Sequence, residues 1–308
     1  MSRRGLILFG LMSVIWGIPY LFIRVAVEEV SPATLVFART SVAVLFLLPI
    51  ALLTTDLRPV LKRWRWVAAF AIAEVGIPWV LLGSAEQHVS SSLAGLLVAG
   101  VPLAGAVFAV ATGGRDRIGR RGLAGLLVGL AGVAAIVGSN IAVTDPIALL
   151  EIAVVVMGYA IGPAILARRL GGLPGVGVMA FSLSLCALVY APVAFIQRPA
   201  VMPSANVLAA ILILGTVCTA AAFTLFSVLI DEIGPVRATV ITYFNPAVAS
   251  VLGIVVLGES FTVAMAVGLG LVILGSTLAT RRPGAKETAG AEGPDLTLDS
   301  GLALDAPS

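Results

Sequence analysis

Apolar residues dominate the chain in ten stretches, separated by short polar gaps. The stretches are Gly5–Val25, Pro32–Leu53, Trp66–Gly83, Ser91–Ala111, Gly122–Gly138, Ile147–Ala167, Gly175–Ile196, Val207–Ile230, Val236–Leu257 and Thr262–Ala279. Each approaches the roughly 20 apolar residues that a helix needs to cross a bilayer. The pattern predicts an all-α membrane protein with ten transmembrane helices. After Arg281 the composition turns to Gly, Ala, Pro, Asp and Glu, which predicts a disordered tail over 281–308.

Composition agrees with this pattern. Of the 308 residues, 59% are hydrophobic and 11% charged. A soluble domain carries about 25% charged residues, so a soluble enzyme is excluded. Two cysteines, Cys186 and Cys218, both lie inside apolar runs, which excludes a disulfide framework or a Cys-rich metal site. The single histidine, His88, argues against a His-based metal or haem centre. No phosphate loop, nucleophile elbow or metal-ligand spacing is present, so no cofactor is expected.

Charge fixes the expected orientation. Sixteen of the nineteen basic residues fall in gaps that share one side if both termini do. The positive-inside rule makes that side the cytoplasm. Arg24 and Arg198 fall on the other side, and Arg39 lies within the second stretch. Because the basic clusters alternate with apolar runs, the net charge of +3 reports topology rather than nucleic-acid binding. Trp64 and Trp66 suit an interfacial belt at the cytoplasmic end of the third span.

The halves repeat. A shift of 144 residues places Pro19 on Pro163, Arg24 on Arg168, Ala94 on Ala238 and Pro102 on Pro246. A shift of 143 places Gly125 and Gly132 on Gly268 and Gly275. Five spans per repeat is an odd number, so the repeats, 1–139 and 140–280, insert with opposite orientations. Inverted repeats of this kind mark secondary transporters, with a substrate site near the midplane between them.

Several residues could carry chemistry. A charged group at a helix centre costs about 2.5–3.5 kcal/mol on insertion scales, so it normally faces a cavity or a partner. Glu74, near the centre of the third span, is the candidate proton-coupling group or partner for a substrate ammonium; the bland alternative is a protonated carboxyl bonded to a neighbouring helix. Arg39 suits a two-pronged grip on a substrate carboxylate, or a packing role. Ser13, Trp16, Gly17, Tyr20 and Arg24 share helical spacing and suggest one cavity wall. Thr242, Tyr243 and Asn245 cluster beside Pro246, with Trp79 and Tyr159 as further cavity candidates. Pro102 and Pro246 form a helix-break pair, because proline frees a backbone carbonyl one turn earlier. Glu151 is expected to snorkel to the headgroups or to gate the outer mouth. His88 reads as a solvated loop residue, and Glu259, Asp231 and Glu232 as caps or gate pairs.

These motifs resemble a known family. Trp16-Gly17, Phe37-Ala38-Arg39, Leu47-Leu48-Pro49, the prolines Pro102 and Pro246, and Leu257-Gly258-Glu259 follow the order of the EamA family of the drug/metabolite transporter superfamily. The resemblance runs to about Thr280. It implies two five-helix repeats around a central cavity and a small organic cargo, most commonly an exported amino acid or related metabolite. The partners so implied are that substrate, the bilayer of a bacterial inner membrane, and protons as a coupling ion. A lipid flippase or a broad-specificity drug efflux protein is the alternative. The family usually carries Glu after the fourth span, where this chain has Asp116.

Overall fold

The structure, a computed structural model, describes residues 2–112, 120–138, 145–233 and 239–280. Arg115-Asp116-Arg117, Arg237, Ala238 and the tail from Arg281 lie outside them, as does the side chain of Asp231.

The described residues are helical. Helices α1 (Arg3–Ile15) and α2 (Pro19–Ala26) make the first apolar rod, and α3 (Pro32–Thr54) the second. A short α4 (Arg58–Lys62) leads to α5 (Trp64–Ala71), a π-helical turn (Ile72–Gly76) and α6 (Ile77–Ala85). Then follow α7 (Ser91–Val98), α8 (Val101–Ala111), α9 (Arg120–Gly138), α10 (Pro146–Arg169) and α11 (Gly175–Ile196). Helix α12 (Ala205–Gly215), a second π-helical turn (Thr216–Ala221) and α13 (Ala222–Ile233) form another rod. A 3₁₀ turn (Thr239–Tyr243), α14 (Asn245–Leu257) and α15 (Val263–Thr280) complete the described chain. Among the described residues, eight rods are long and apolar enough to span a bilayer, and Ile241–Leu257 and Val263–Ala279 are shorter apolar helices.

Their outer faces are apolar. Leu53, Ile196, Val263 and Val255 are at least 75% exposed on the isolated chain. Apolar area on this scale needs lipid, not water, around it.

The rods pair across the two halves of the chain: α3 with α11, α6 with α10, α2 with α12, α7 with α14 and α9 with α15. The pairs α3–α11, α6–α10, α7–α14 and α9–α15 run antiparallel. Thr34 meets Gln197 at one end of α3–α11, while Gly177 packs on Leu57 and Val60 at the other. In α9–α15, Gly125 faces Ala279 and Gly132 faces Gly268. A methyl group at Gly125 or Gly275 would run into the opposing backbone. These small residues therefore let the two helices touch main chain to main chain, the usual basis of helix association in lipid.

Three rods break where proline or glycine interrupts the hydrogen-bond ladder. The first turns at Trp16–Ile18, ahead of Pro19. The fourth breaks at Ala99–Gly100, ahead of Pro102 in α8, and the ninth at the 3₁₀ turn ahead of Pro246 in α14. In each case proline starts a fresh helical segment, where its missing N–H costs nothing.

Candidate functional site

The break at Trp16–Ile18 corrects one expectation. Ser13, Trp16, Tyr20 and Arg24 do not line a single wall, because the turn interrupts the helical phase between Trp16 and Tyr20. Ser13 and Trp16 join one group of residues, Tyr20 joins another, and Arg24 ends at the helix tip.

The first group is a packed junction between α1, α13 and α14. Trp16 meets the rings of Phe223 and Phe226 at 5.7 and 4.7 Å, and Phe9 meets Phe244 edge-on at 5.6 Å. Ser13 bonds back to the Phe9 carbonyl at 2.9 Å. With its amide in the orientation that satisfies both ends, Asn245 donates to the carbonyls of Ser13 at 3.2 Å and Ile241 at 2.9 Å. The Ile241 carbonyl also accepts from Phe244 N at 2.9 Å, so the amide ties the two helix breaks together across the junction. Gly17 has no room for a Cβ because Val248 and the Asn245 carbonyl press on it. Thr242 and Tyr243 are half-buried in the adjoining 3₁₀ turn.

The second group contains the charges. Arg39, on α3, is 6% exposed. Its Nε donates to Thr219 Oγ1 at 3.0 Å, and its guanidinium carbon lies 3.6 Å from the centroid of the Trp79 ring. Stacking on an aromatic face and one side-on hydrogen bond hold the fork in place. Among the described residues its terminal nitrogens have no hydrogen-bond partner. Tyr159 packs against the apolar cluster that contains Trp79, and it lies within electrostatic range of Glu74, Arg39, Tyr20 and Glu86.

Glu74 lies in the first π-helical turn, against α10. Gly162 makes this possible, since any Cβ there would collide with the Glu74 carboxyl. Its Oε2 is buried without a partner. The π turn has an identifiable cause in Pro78, whose ring would clash with the carbonyl of Glu74 in a regular α-helix. The carbonyls loosened by the turn are capped from α11: Tyr190 Oη donates to Gly76 at 3.0 Å, and the Cys186 thiol approaches Ala71 at 3.7 Å. The second π turn begins 144 residues after the first and places Cys218 where Glu74 stands. There Thr219 Oγ1 bonds to the Leu214 carbonyl at 2.7 Å while accepting from Arg39.

Of the sequence candidates, Arg39 and Trp79 meet in the interior, while Tyr20 and Glu74 lie within electrostatic range of Tyr159. Ser13, Trp16, Thr242, Tyr243 and Asn245 lie in or beside the junction. Pro102 and Pro246 stand at the helix breaks.

Glu151 does not snorkel. Its Oε1 accepts from Ser84 Oγ at 2.8 Å, and its Oε2 is buried without a partner, so it ties α10 to α6. Glu259 is a cap. Its carboxylate accepts from Ser91 N at 2.8 Å, Ser91 Oγ at 2.9 Å and Ser92 N at 2.9 Å, closing the N-terminus of α7. Gly258, in the left-handed region at φ 66°, turns the chain so that the carboxylate reaches it. Glu232 accepts from Ser2 Oγ, linking the two halves at the opposite end. His88 is exposed and lines a cleft of about 400 Å³ with Arg24, Glu28, Gln87 and Glu259.

Sequence reasoning missed Glu86, Thr219 and Gly162. Glu86 follows α6 and reads as a loop residue, yet it is fully buried and neither carboxylate oxygen has a partner. Its carbonyl accepts from Arg24. Burial, and then the nearby Glu259, push its carboxyl well above the usual range. Thr219 could have been found by carrying the 144-residue shift from Val75 into the second half.

A solved crystal structure superposes with a TM-score of 0.63 at 22% identity, covering 91% of this chain and 97% of its own, which establishes a common fold. The uncharacterized inner membrane transporter YedA of Escherichia coli K12 is 28% identical over 268 residues, covering 84% of this chain and 86% of its own length. Its counterpart in E. coli O157:H7 matches equally. The EamA-like transporter family model matches residues 3–138 and again 146–281. With both halves matched, the chain belongs to the EamA-like transporter family.

Proposed function

We propose that this chain is a secondary transporter that exports a small organic metabolite, an amino acid or a related compound, by alternating access. The observation that carries the reading is the interior group of opposite charges. Among the described residues Arg39 has terminal N–H groups without a partner and Glu74 an unpartnered carboxylate oxygen, with Tyr159 within electrostatic range of both. Unpaired charges at bilayer depth are expensive. A zwitterion offsets both, its carboxylate on the Arg39 fork and its ammonium on Glu74. A proton on Glu74 competes with the ammonium and would couple release to proton uptake.

The reading includes ten transmembrane spans as two inverted five-helix repeats, 1–139 and 140–280. The antiparallel pairing of α3 with α11, α7 with α14 and α9 with α15 supports it. So do the two π turns at one offset. Both termini lie in the cytoplasm on the basic-residue bias, and the E. coli relative supports an inner-membrane location. The junction of Trp16, Phe223, Phe226 and Asn245 would then act as the cytoplasmic seal around which the halves rock.

Untargeted mass spectrometry of the medium tests this. Cells expressing the protein should accumulate one or a few small zwitterionic metabolites outside, against an empty-vector control. Matching media together with matching uptake of labelled amino acids would overturn the transporter reading.

A further inference from the structure

A second charged region lies far from the interior group, at the ends of α5 and α10. Lys62, Arg63, Arg65, Arg168 and Arg169, with Trp64 and Trp66, line an open concavity of about 660 Å³. No carboxylate lines it among the described residues. Four of these five cations are nevertheless held in order. Arg63 Nη1 donates to the Arg169 carbonyl at 2.9 Å. The Arg169 guanidinium lies 4.5 Å from the Trp66 ring centroid, and that of Arg65 lies 5.7 Å from Trp64. Arg168 reaches Thr112 Oγ1 at 3.4 Å. Guanidinium groups stacked on indole faces keep their edge N–H donors pointing outward, the geometry that grips phosphate.

Two features specify the source of the phosphate. The concavity sits at the ends of two membrane-length rods, Trp64–Ala85 and Pro146–Arg169, which is the depth of the headgroups. Trp64 and Trp66 are 56% and 41% exposed, as indoles are when they rest at the membrane–water interface. We propose that this concavity is a binding site for the headgroup of an anionic phospholipid. Lys62 to Trp66 come from the first half of the chain, and Arg168 and Arg169 from the second. A bound headgroup therefore bridges the halves and steadies that end of the molecule. The site depends neither on the cargo nor on the direction of transport.

The test is a titration of the purified full-length protein in detergent, reading thermal unfolding and lipids retained in native mass spectrometry. The ligands are dioctanoyl phosphatidylglycerol, dioctanoyl phosphatidylcholine and inorganic phosphate. Phosphatidylglycerol should raise the unfolding temperature, and phosphatidylcholine should not. The double variant Arg63→Gln/Arg169→Gln should bind phosphatidylglycerol about thirtyfold more weakly, from the usual contribution of each cation near an anionic surface. Arg3→Gln/Arg4→Gln removes the same charge elsewhere and should leave the affinity unchanged. Equal loss in both double variants, or an equal response to phosphatidylcholine, overturns the site. A full response to inorganic phosphate overturns the lipid as its occupant. Should the first double variant fail to fold, Lys62→Gln/Arg168→Gln replaces it with the same expectations.

Discussion

The two π-helical turns are one backbone device used twice with different chemistry. Ile72–Gly76 carries Glu74, pressed against Gly162 and short of a hydrogen-bond partner. Thr216–Ala221 carries Cys218 at the matching place, and its neighbour Thr219 is fully engaged with Arg39 and Leu214. The first turn leaves a charge unsatisfied, while the second uses a hydroxyl to position a charge from another helix. π turns inside α-helices occur often at functional sites. Here the repeated geometry widens both rods, and the side chains divide the work.

The sharpest way to break that division is at Arg39. Arg39→Ala removes the stack on Trp79 and the bond to Thr219. Export should fall at least about tenfold, and stability by about 2 kcal/mol, from a desolvated cation–π contact and a charged hydrogen bond. Arg39→Lys should recover part of the stability but not the fork, and so little of the export. Transport assays and unfolding in detergent read both.

Gly162→Val attacks the other side. Its side chain takes the space of the Glu74 carboxyl, and overpacking should cost about 1–3 kcal/mol while shifting the pH profile of export. The same substitution at Gly138, where among the described residues nothing beyond its own helix stands within 4 Å, should leave that profile unchanged.

Glu259→Ala separates capping from chemistry. It strips the cap from α7, worth about 1 kcal/mol, and should lower the unfolding temperature without abolishing export. The smallest effect belongs to Glu29, whose carboxylate accepts from Ser204 N at 2.6 Å. The bond to Ser204 holds its carboxyl below the ordinary value. A depressed value contributes stability above the unfolded-state pKa and loses it as pH falls through the folded one. Wild-type protein should therefore soften slightly more than Glu29→Gln when unfolding is followed below the usual carboxylate range.

Much of this was legible in the chain. Apolar runs located the helical rods, and Pro102 and Pro246 marked two of their breaks, because lipid exposure and proline geometry act locally. The interior grouping was less legible. Helical spacing joined Ser13 and Trp16 to Tyr20, and only the turn ahead of Pro19 parts them. Glu86 sits one residue beyond an apolar run, so its burial depends on helices distant in sequence. Glu151 read as a snorkelling end group until Ser84, on another rod, supplied its partner. The π turns were hidden because these rods are apolar on most faces, so the rotation added by one extra residue displaces no visible polar stripe.

Side-by-side export by Glu74→Gln and Cys218→Ala tests the division of labour most directly, at matched abundance in the membrane. The account predicts that Glu74→Gln loses export and its pH dependence while remaining as stable as wild type, since an uncharged amide costs less in the bilayer than a carboxylate. Cys218→Ala should retain most of its export with an unchanged pH profile. Equal loss in the two variants, or full export by Glu74→Gln, would contradict it.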